Sequence, residues 1–513
     1  MSGSAEPTGP FSASWESLAE NYRCPEWYRD AKFGIWAHWD AQCVPEDGDW
    51  YARNMYIQGM PQYEHHLKHY GHPTQFGFME IDHLWHAENW NPEKLIDLYK
   101  RAGAKYFVAL ANHHDNFDCY DSKYHPWNSV RVGPHKDIIG TWEKVVRAKG
   151  LHFGVSNHSS HAWHWFQPAY GYDPVGPLAG KRYDAFHLKK SDGKGKWWEG
   201  LDPQDLYTGP NIVVPDGITS IKAMQDWHGQ HDGHWYEEAP NNPGFVRNWF
   251  LRCQDLLDKY HPDFLYFDDT GLPFGQTGLD IAAHFYNSNS AFHKGDLTAV
   301  VTAKNLPPAH KPALVEDFER GVPDDIQPLP WQTDTCIGNW HYQKVIQYKT
   351  VAQVVKMLVD VVSKNGNLLL SIPVRGDGTI DDREMEFLAG LTRWMDINGE
   401  GIFGSRPWKI FGEGPSHKTG GMFSEGKTEY TAEDIRFTTR GNTLYVFTLG
   451  IPFGDIKIKS LGTASSLTQP IRQITMLGSN TPIIWHQEPD QLLIPRPTDR
   501  PTLDTTCFKV VFK

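Results

Sequence analysis

The sequence is poor in cysteine, in basic clusters and in long apolar runs, and each shortage excludes a class of protein. Its six cysteines include no CxxC pair, so neither a disulfide framework nor a zinc ribbon is indicated, and some should be buried free thiols. Without a run of about 18 apolar residues, no membrane-spanning helix is predicted. The cysteines are scattered along the chain, at Cys24, Cys43, Cys119, Cys253, Cys336 and Cys507.

Positive charge is also in short supply. The formal net charge is −13 at pH 7, whereas binding to nucleic acid or to an anionic membrane needs a basic surface. The longest basic stretch, residues 189–196, is short and interrupted by glycine, which is typical of a solvated loop. We therefore expect no nucleic acid and no membrane among the partners, while the oligomeric state stays open.

The first residues, MSGSAEPTGPFSAS, lack the basic and apolar regions of a signal peptide. This start fits a cytoplasmic protein, or one whose signal peptide has been removed. Of the two, we expect a secreted or periplasmic protein whose signal peptide is already gone.

Aromatic residues, in contrast, are abundant. The chain has 21 Trp, 22 Tyr and 26 Phe, and aromatic faces stack on the C–H faces of sugars. Large cores can also be rich in tryptophan, so composition favours a carbohydrate ligand without deciding the question.

A repeat of amphipathic helix and apolar strand fills the middle of the chain. Asn91-Pro92-Glu93 is typical of a helix start, Gly103 ends that helix, and the apolar run 104–112 follows as a buried parallel strand. The same order recurs, which predicts a (β/α)8-like TIM barrel. The further helix and strand pairs are 141–150 with 151–156, 245–260 with 263–268, and 350–364 with 367–372.

The pattern changes towards the C-terminus. Short alternating runs separated by Gly, Asn and Pro predict an antiparallel β-sandwich over 401–513. We thus expect an N-terminal tail over 1–25 and the barrel catalytic domain over 26–400. The stretch 157–243 does not fit the repeat and is expected to form loops over the mouth of the barrel.

Polar residues stand where several predicted strands end, which is where barrel enzymes keep their catalytic groups. His38 ends one such run, and His113 and His114 end another. The late strands end in carboxylates, and paired carboxylates suit glycoside hydrolysis. These carboxylates are Asp268 and Asp269 on one strand, and Glu316, Asp317 and Glu319 on another.

Two other interpretations stay open at this point. His38, His113, His114 and Asp268 could hold a metal, as in a metal-dependent barrel hydrolase. Against this, the first strand has no HxH, and adjacent residues of a strand point to opposite faces. A sugar-binding protein without catalysis is the non-enzymatic alternative.

Long segments of the chain resemble the α-L-fucosidases of glycoside hydrolase family 29. The similar segments are WYRDAKFGIWAHW, AGAKYFVALANHHDNFDCYDSKYHPWNS, SKNGNLLLSIPVRGDGTI and NGEGIFGSRPW. The resemblance implies a retaining exo-α-L-fucosidase that needs no cofactor and no metal. Its partner would be an oligosaccharide or glycoconjugate with a terminal α-L-sugar.

The resemblance also implies the catalytic pair. The nucleophile of the family is the Asp of a Leu-Trp-x-Asp strand end, which here is Asp268, with Tyr266 as the aromatic wall and Asp269 as the rival. The acid/base lies about a dozen residues before a Trp-led strand. Counting back from that strand reaches Glu319, with Glu316 as runner-up.

Further residues are implied to bind the sugar. His38, His113 and His114 match family ligands of sugar hydroxyls, and the family's Glu-Trp-Tyr reads Asp49-Trp50-Tyr51 here. Trp36 stands where the family usually has Phe. Trp340 belongs to a Ser-Trp-Gly-Tyr motif whose Gly is replaced by His341.

One departure concerns the choice of sugar. The family's His-Trp-Gly is His38-Trp39-Asp40 here, which adds a carboxylate near the expected pocket. Asp40 could be structural, or it could receive a hydroxyl that fucose lacks. In the second case the substrate would be another α-L-glycoside, such as an α-L-glucoside or α-L-galactoside.

Overall fold

The structure is a computed structural model that describes residues 8–233, 242–416 and 420–513. The predicted tail and the predicted loop region 157–243 therefore lie in part outside the described residues. The helices are α1 (Trp15–Asn21), α2 (Glu26–Ala31), α3 (Tyr51–Asn54), α4 (Pro61–His69), α5 (Phe78–Leu84), α6 (Pro92–Arg101), α7 (Ile138–Ala148), α8 (Ala162–Trp165), α9 (Asp184–His187), α10 (Pro203–Tyr207), α11 (Ile221–His231), α12 (Pro243–Tyr260), α13 (Gln276–Phe292), α14 (Val351–Ser363) and α15 (Asp382–Asn398). The strands are β1 (Phe33–Ala37), β2 (Tyr106–Asn112), β3 (His152–Asn157), β4 (Phe264–Thr270), β5 (Val300–Lys304), β6 (Val315–Glu319), β7 (Trp331–Cys336), β8 (Gly366–Ser371), β9 (Arg406–Glu413), β10 (Ile435–Arg440), β11 (Thr443–Thr448), β12 (Ile456–Ile458), β13 (Ile471–Met476), β14 (His486–Gln487), β15 (Leu492–Ile494) and β16 (Thr506–Phe512).

Strands β1 to β8 close into a parallel barrel in chain order, with β1 pairing to both β2 and β8. Every residue of β2 and of β8 is buried, because helices cover the outside of the barrel and side chains fill its inside. The predicted (β/α)8-like barrel is confirmed.

The unit that begins at Asn91 shows why the sequence folds in this way. The Asn91 side chain accepts the backbone N–H of Lys94 at 3.0 Å, so the helix α6 has a side-chain cap. Leu95, Ile96 and Tyr99 bury one face of α6 against the barrel. Gly103 follows with φ 106°, a left-handed conformation that glycine adopts without strain, and turns the chain into β2.

The C-terminal part consists of antiparallel strands, as the alternating runs predict. One sheet has the order β13-β16-β11-β10-β9, and a smaller one has the order β12-β15-β14. Apolar side chains of both sheets form a common core, among them Phe437 and Val446 of the larger sheet and Ile456 and Ile494 of the smaller one. The predicted antiparallel C-terminal strands are confirmed, as two sheets.

The C-terminal sheets are joined to the barrel by buried contacts. Arg436 on β10 donates to Asp360 of α14 at 2.7 Å, and the indole N–H of Trp394 donates to the carbonyl of Thr505 at 3.0 Å. The buried core of the barrel continues into Phe447 of β11. Packing of this kind holds the C-terminal sheets at a fixed position beside α14 and α15.

Two expectations from composition are met in the part of the chain that the structure describes. The six cysteines are free, and all but Cys24 are buried. Over residues 8–233, 242–416 and 420–513, the helices are too short or too polar to cross a bilayer.

Candidate active site

A cavity of about 460 Å³ opens where the barrel strands end at their carboxyl sides. It brings together residues from β1, β2, β4 and β6 that the sequence predicted separately. The predicted residues in its lining are Trp36, His38, Asp49, Trp50, His113, His114, Tyr266, Asp268, Glu319 and Trp340. The lining residues that sequence reasoning missed are His158, Asp334 and Phe423.

The predicted nucleophile, Asp268, lies on β4 and faces the cavity. One carboxylate oxygen accepts a hydrogen bond from the ammonium of Lys304. The other oxygen lies 3.5 Å from Nε2 of His114 and 3.4 Å from Nδ1 of His158. Burial opposes the charge of Asp268, but Lys304, His114 and His158 outweigh it and hold its pKa well below the ordinary value. Asp268 is therefore an ionised carboxylate, as a nucleophile must be.

The two rival carboxylates face elsewhere. Asp269 accepts the hydroxyl of Ser160 at 2.9 Å and lies 3.2 Å from Nε2 of His161. Glu316 forms an ion pair with Lys311 at 2.6 Å on the outer side of the barrel, because alternate residues of a strand point to opposite faces. These contacts favour Asp268 over Asp269 and Glu319 over Glu316.

Lys304, the last residue of β5, joins the two predicted catalytic carboxylates. Its side chain is 1% exposed, and its Nζ donates to Asp268 Oδ1 and to Glu319 Oε2, the latter at 2.6 Å. Burial disfavours its charge, but the two carboxylates outweigh burial and raise its pKa well above the ordinary value. Sequence reasoning missed Lys304; the available signal was a lysine at the end of the buried strand VVTAK.

The shared ammonium fixes how far apart the carboxylates are. Two oxygens that accept hydrogen bonds of ordinary length from one tetrahedral nitrogen lie roughly 4–5 Å apart. Retaining glycosidases hold their carboxyl groups at about 5–5.5 Å, and inverting ones at about 6.5–9.5 Å. The spacing at Lys304 is closer to the retaining separation than to the inverting one.

Another carboxyl group, Asp334 on β7, stands close to this pair. The hydroxyl of Tyr266 donates to Asp334 at 2.7 Å. Burial and the charges of Glu319 and Asp268 raise the pKa of Asp334 to about 7, although Lys304 and Tyr266 act in the opposite direction. At neutral pH this carboxyl group is partly protonated, so it is a second possible proton donor in the cavity.

The histidines of the cavity are held in defined orientations. Burial and the neighbouring His158 hold the pKa of His38 well below the ordinary value. Burial and His114 do the same for the pKa of His113, so both rings are neutral. The amide oxygen of Gln42 accepts the N–H of Ala52 at 3.2 Å, which leaves the amide nitrogen to donate to Nδ1 of His113 at 3.2 Å. The hydrogen of His113 is then on Nε2, where it can bind an oxygen.

The expectation that His113 and His114 point to opposite faces is wrong. Both follow the end of β2 at Asn112, where strand alternation no longer applies, and their ring centroids are 4.2 Å apart. Together with His158 they offer nitrogens within 4.8 Å of one another, a spacing that could hold a metal ion. His113 and His114 could therefore share one ion, although His114 and His158 also face Asp268.

Comparison with known proteins agrees with this geometry. A family model described as Alpha-L-fucosidase matches residues 1–400 of the 513. The chain belongs to the alpha-L-fucosidase family. The resemblance that the sequence motifs indicated is thereby confirmed.

Relatives of known name cover nearly the whole chain. The tissue alpha-L-fucosidase of Homo sapiens is 26% identical over 499 residues, which is 95% of this chain and 88% of that protein. The alpha-L-fucosidase of Branchiostoma floridae is 25% identical over 484 residues, 93% of this chain and 89% of that protein. The crystal structure of Thermotoga maritima alpha-fucosidase in complex with a mechanism-based inhibitor is similar with a TM-score of 0.70 and 27% identity, covering 98% and 100% of the two chains.

Three of the places where this alpha-L-fucosidase family member departs from the family motifs, at Asp40, Asp49 and His341, meet in one cluster. His341 lies between Asp40, 3.0 Å from its Nε2, and Asp49, 2.5 Å from its Nδ1. Burial opposes a charge on His341, but the two carboxylates raise its pKa well above the ordinary value. The three departures thus form one ion-paired unit, in which the imidazolium fixes the orientation of Asp49.

Two predicted sugar ligands lie behind the cavity rather than in its lining. Asp40 is fully buried, and it accepts the backbone N–H of Gln42 at 2.8 Å in addition to facing His341. Tyr51 is also fully buried, with its hydroxyl 2.9 Å from Nδ1 of His66. Asp40 therefore reaches the cavity only through His341 and Asp49, whereas Tyr51 packs against the histidines of α4.

Proposed function

We propose that this chain is a retaining, exo-acting α-L-fucosidase that releases terminal α-L-fucose from an oligosaccharide or glycoconjugate. The observation that carries the proposal is the pair Asp268 and Glu319, which share the ammonium of Lys304 inside one cavity. The family match over residues 1–400 supports fucose as the sugar.

In the first step Asp268 attacks the anomeric carbon while Glu319, protonated, donates its proton to the leaving oxygen. The bond from carbon to the leaving oxygen breaks, and a covalent glycosyl ester on Asp268 forms. Lys304 stabilises the anion that Glu319 becomes when it gives up the proton, because the ammonium already lies 2.6 Å from its Oε2.

In the second step Glu319 acts as a base. Its carboxylate takes a proton from water, the water oxygen attacks the anomeric carbon, and the ester bond to Asp268 breaks. The sugar leaves with the configuration it had in the substrate, and both carboxyl groups return to their initial states.

The remaining cavity residues are suited to hold the sugar ring. His38 and His113 are neutral and offer hydrogen bonds to hydroxyl groups, and Asp49 is an acceptor whose orientation His341 fixes. Trp36 supplies an apolar wall; the centroid of its ring lies 3.9 Å from that of His38. A 6-deoxy sugar needs both kinds of surface, since it has hydroxyls on one side and a methyl group on another.

Initial rates on aryl α-L-fucoside, α-L-galactoside and α-L-glucoside test the sugar. We expect the fucoside to have the highest kcat/KM, because Asp40 is buried behind His341 and is not positioned to receive an extra hydroxyl. A panel in which the fucoside is the poorest substrate contradicts the choice of sugar, but leaves Asp268 and Glu319 in their roles.

The spacing of His113, His114 and His158 favours a metal-dependent hydrolase as the second candidate function. Prolonged dialysis against a strong chelator separates the two. Full retention of fucosidase activity excludes the metal-dependent alternative, whereas loss of activity that zinc restores would support it. Sugar binding without turnover on any aryl α-L-glycoside would instead indicate a sugar-binding protein.

A further inference from the structure

The cavity contains a side chain from outside the barrel. Phe423 belongs to the segment between β9 and β10 of the C-terminal domain, yet it lines the cavity together with Glu319. Its side chain is 53% exposed, whereas most large apolar side chains of the described residues are buried.

Backbone hydrogen bonds hold this segment against the loop that follows the acid/base residue. The N–H of Phe423 donates to the carbonyl of Glu319 at 2.9 Å, and the N–H of Gly421 donates to that of Val322 at 2.8 Å. Two residues further on, the carboxylate of Glu425 accepts the hydroxyl of Thr335 at 2.9 Å. Phe423 is therefore fixed beside Glu319 from both sides.

The backbone conformation of Phe423 is energetically unfavourable. Its φ is 56°, in the left-handed region where a bulky aromatic residue is strained. Burial of the ring does not repay this strain, since about half of the side chain remains in water. Strained residues that persist at the edge of a site indicate a function for the conformation. Trp50, elsewhere in the same cavity lining, has a left-handed backbone as well, with φ 65°.

The position of Phe423 shows which part of a substrate it would contact. Under the proposed function, Glu319 protonates the oxygen of the leaving group, so the leaving group lies beside Glu319 on its way to solvent. The fucosyl ring would then occupy the buried end of the cavity, where His38 and His113 are 2% and 3% exposed. A half-exposed ring next to Glu319 is placed for the leaving group rather than for fucose.

We propose that Phe423 forms a leaving-group subsite, in which its ring stacks on the apolar face of the sugar or aryl group attached to fucose. This inference rests on the proposed function. It makes the C-terminal domain part of the substrate site, and it predicts that Phe423 affects the enzyme only when the leaving group has a face to stack on.

Three donors test the subsite: a fucosylated disaccharide, an aryl α-L-fucoside and α-L-fucosyl fluoride, whose leaving group is a single atom. For Phe423→Ala we expect kcat/KM to fall roughly 3- to 10-fold on the first two donors, the worth of one aromatic packing contact, and to stay unchanged on the fluoride. Phe423→Tyr, which keeps the ring, should retain wild-type rates. Phe453→Ala is the matched control, because Phe453 is 84% exposed on the C-terminal domain and lies outside the cavity lining.

Each other outcome has a distinct meaning. An equal loss on all three donors for Phe423→Ala would overturn the subsite, because it would show that Phe423 supports Glu319 or the fold. Unchanged rates on all three would overturn it as well. Failure of the proposed function is visible separately, since the wild-type protein would then turn over none of the three donors.

Discussion

Replacing Lys304 by methionine removes the positive charge that Asp268 and Glu319 share. Methionine has a similar length and suits a buried site, so the change is mainly one of charge. Lys304 holds the pKa of Asp268 well below its ordinary value, and that pKa should rise in the variant. Because the nucleophile must be ionised, activity on the acidic side is lost first, and the acid limb of the pH profile moves to higher pH.

The size of the effect follows from the contact. Two unit charges about 4 Å apart at an effective dielectric constant of 20 attract by about 4 kcal/mol. Removing the ammonium also removes the free-energy cost of burying it, which offsets part of this attraction. We therefore expect the Asp268 carboxylate to lose about 2 kcal/mol of stabilisation. Since 1.36 kcal/mol corresponds to one pKa unit, the acid limb of kcat/KM should move up by about 1.5 pH units.

The assay is the dependence of kcat/KM on pH for an aryl α-L-fucoside. Lys304→Arg keeps the charge and should keep the acid limb of the wild-type protein. Lys311→Met is the matched control, because it removes an ion pair with Glu316 at 2.6 Å on the outer side of the barrel. An acid limb that does not move in Lys304→Met would show that Lys304 does not lower the pKa of Asp268. An equal movement in Lys304→Arg would show that the charge is not the cause.

Three further predictions follow from the site. Asp40→Asn keeps the oxygen that caps Gln42 but loses the charge facing His341, so the free energy of unfolding should fall by about 1–3 kcal/mol in denaturant titrations. A changed preference between fucoside and galactoside in Asp40→Asn would contradict a purely structural role of Asp40. His341 has a raised pKa, so its ion pairs stabilise the fold fully below about pH 6.5 and are lost as the pH rises through the folded-state pKa. The difference in melting temperature between wild type and His341→Gln should therefore close at alkaline pH, and a constant difference would argue against a charged His341. Glu319→Ala should lower kcat/KM by about 10²–10⁴ on donors with poor leaving groups and less on activated aryl donors, with azide restoring turnover. If Asp334→Asn behaves in that way instead, Asp334 is the acid/base.

The barrel could be predicted from the sequence because its signals are local. A capped helix that ends at a glycine and leads into an apolar run, as at Asn91 to Asn112, specifies one strand and helix without help from the rest of the chain. His38 and Asp268 could be located for the same reason, since each stands at the end of such a run.

The remaining parts of the site depend on contacts between distant segments. Lys304 gains its role only because β5 lies between β4 and β6, and a lysine on a short strand does not reveal its neighbours. Asp40 and His341 are separate departures in the sequence, and only the fold brings them into contact. Phe423 lies after β9 in the C-terminal part of the chain, and no motif around it indicates a place in the cavity.

In the proposed reaction Asp268 forms the covalent intermediate. A 2-fluorinated α-L-fucosyl donor with a good leaving group should trap that intermediate, because the fluorine slows the second step. Mass spectrometry of the digested protein should then find the added sugar on Asp268, in wild type and in Asp269→Asn alike. An adduct on Asp269, or no adduct together with a product of inverted configuration, would contradict the account.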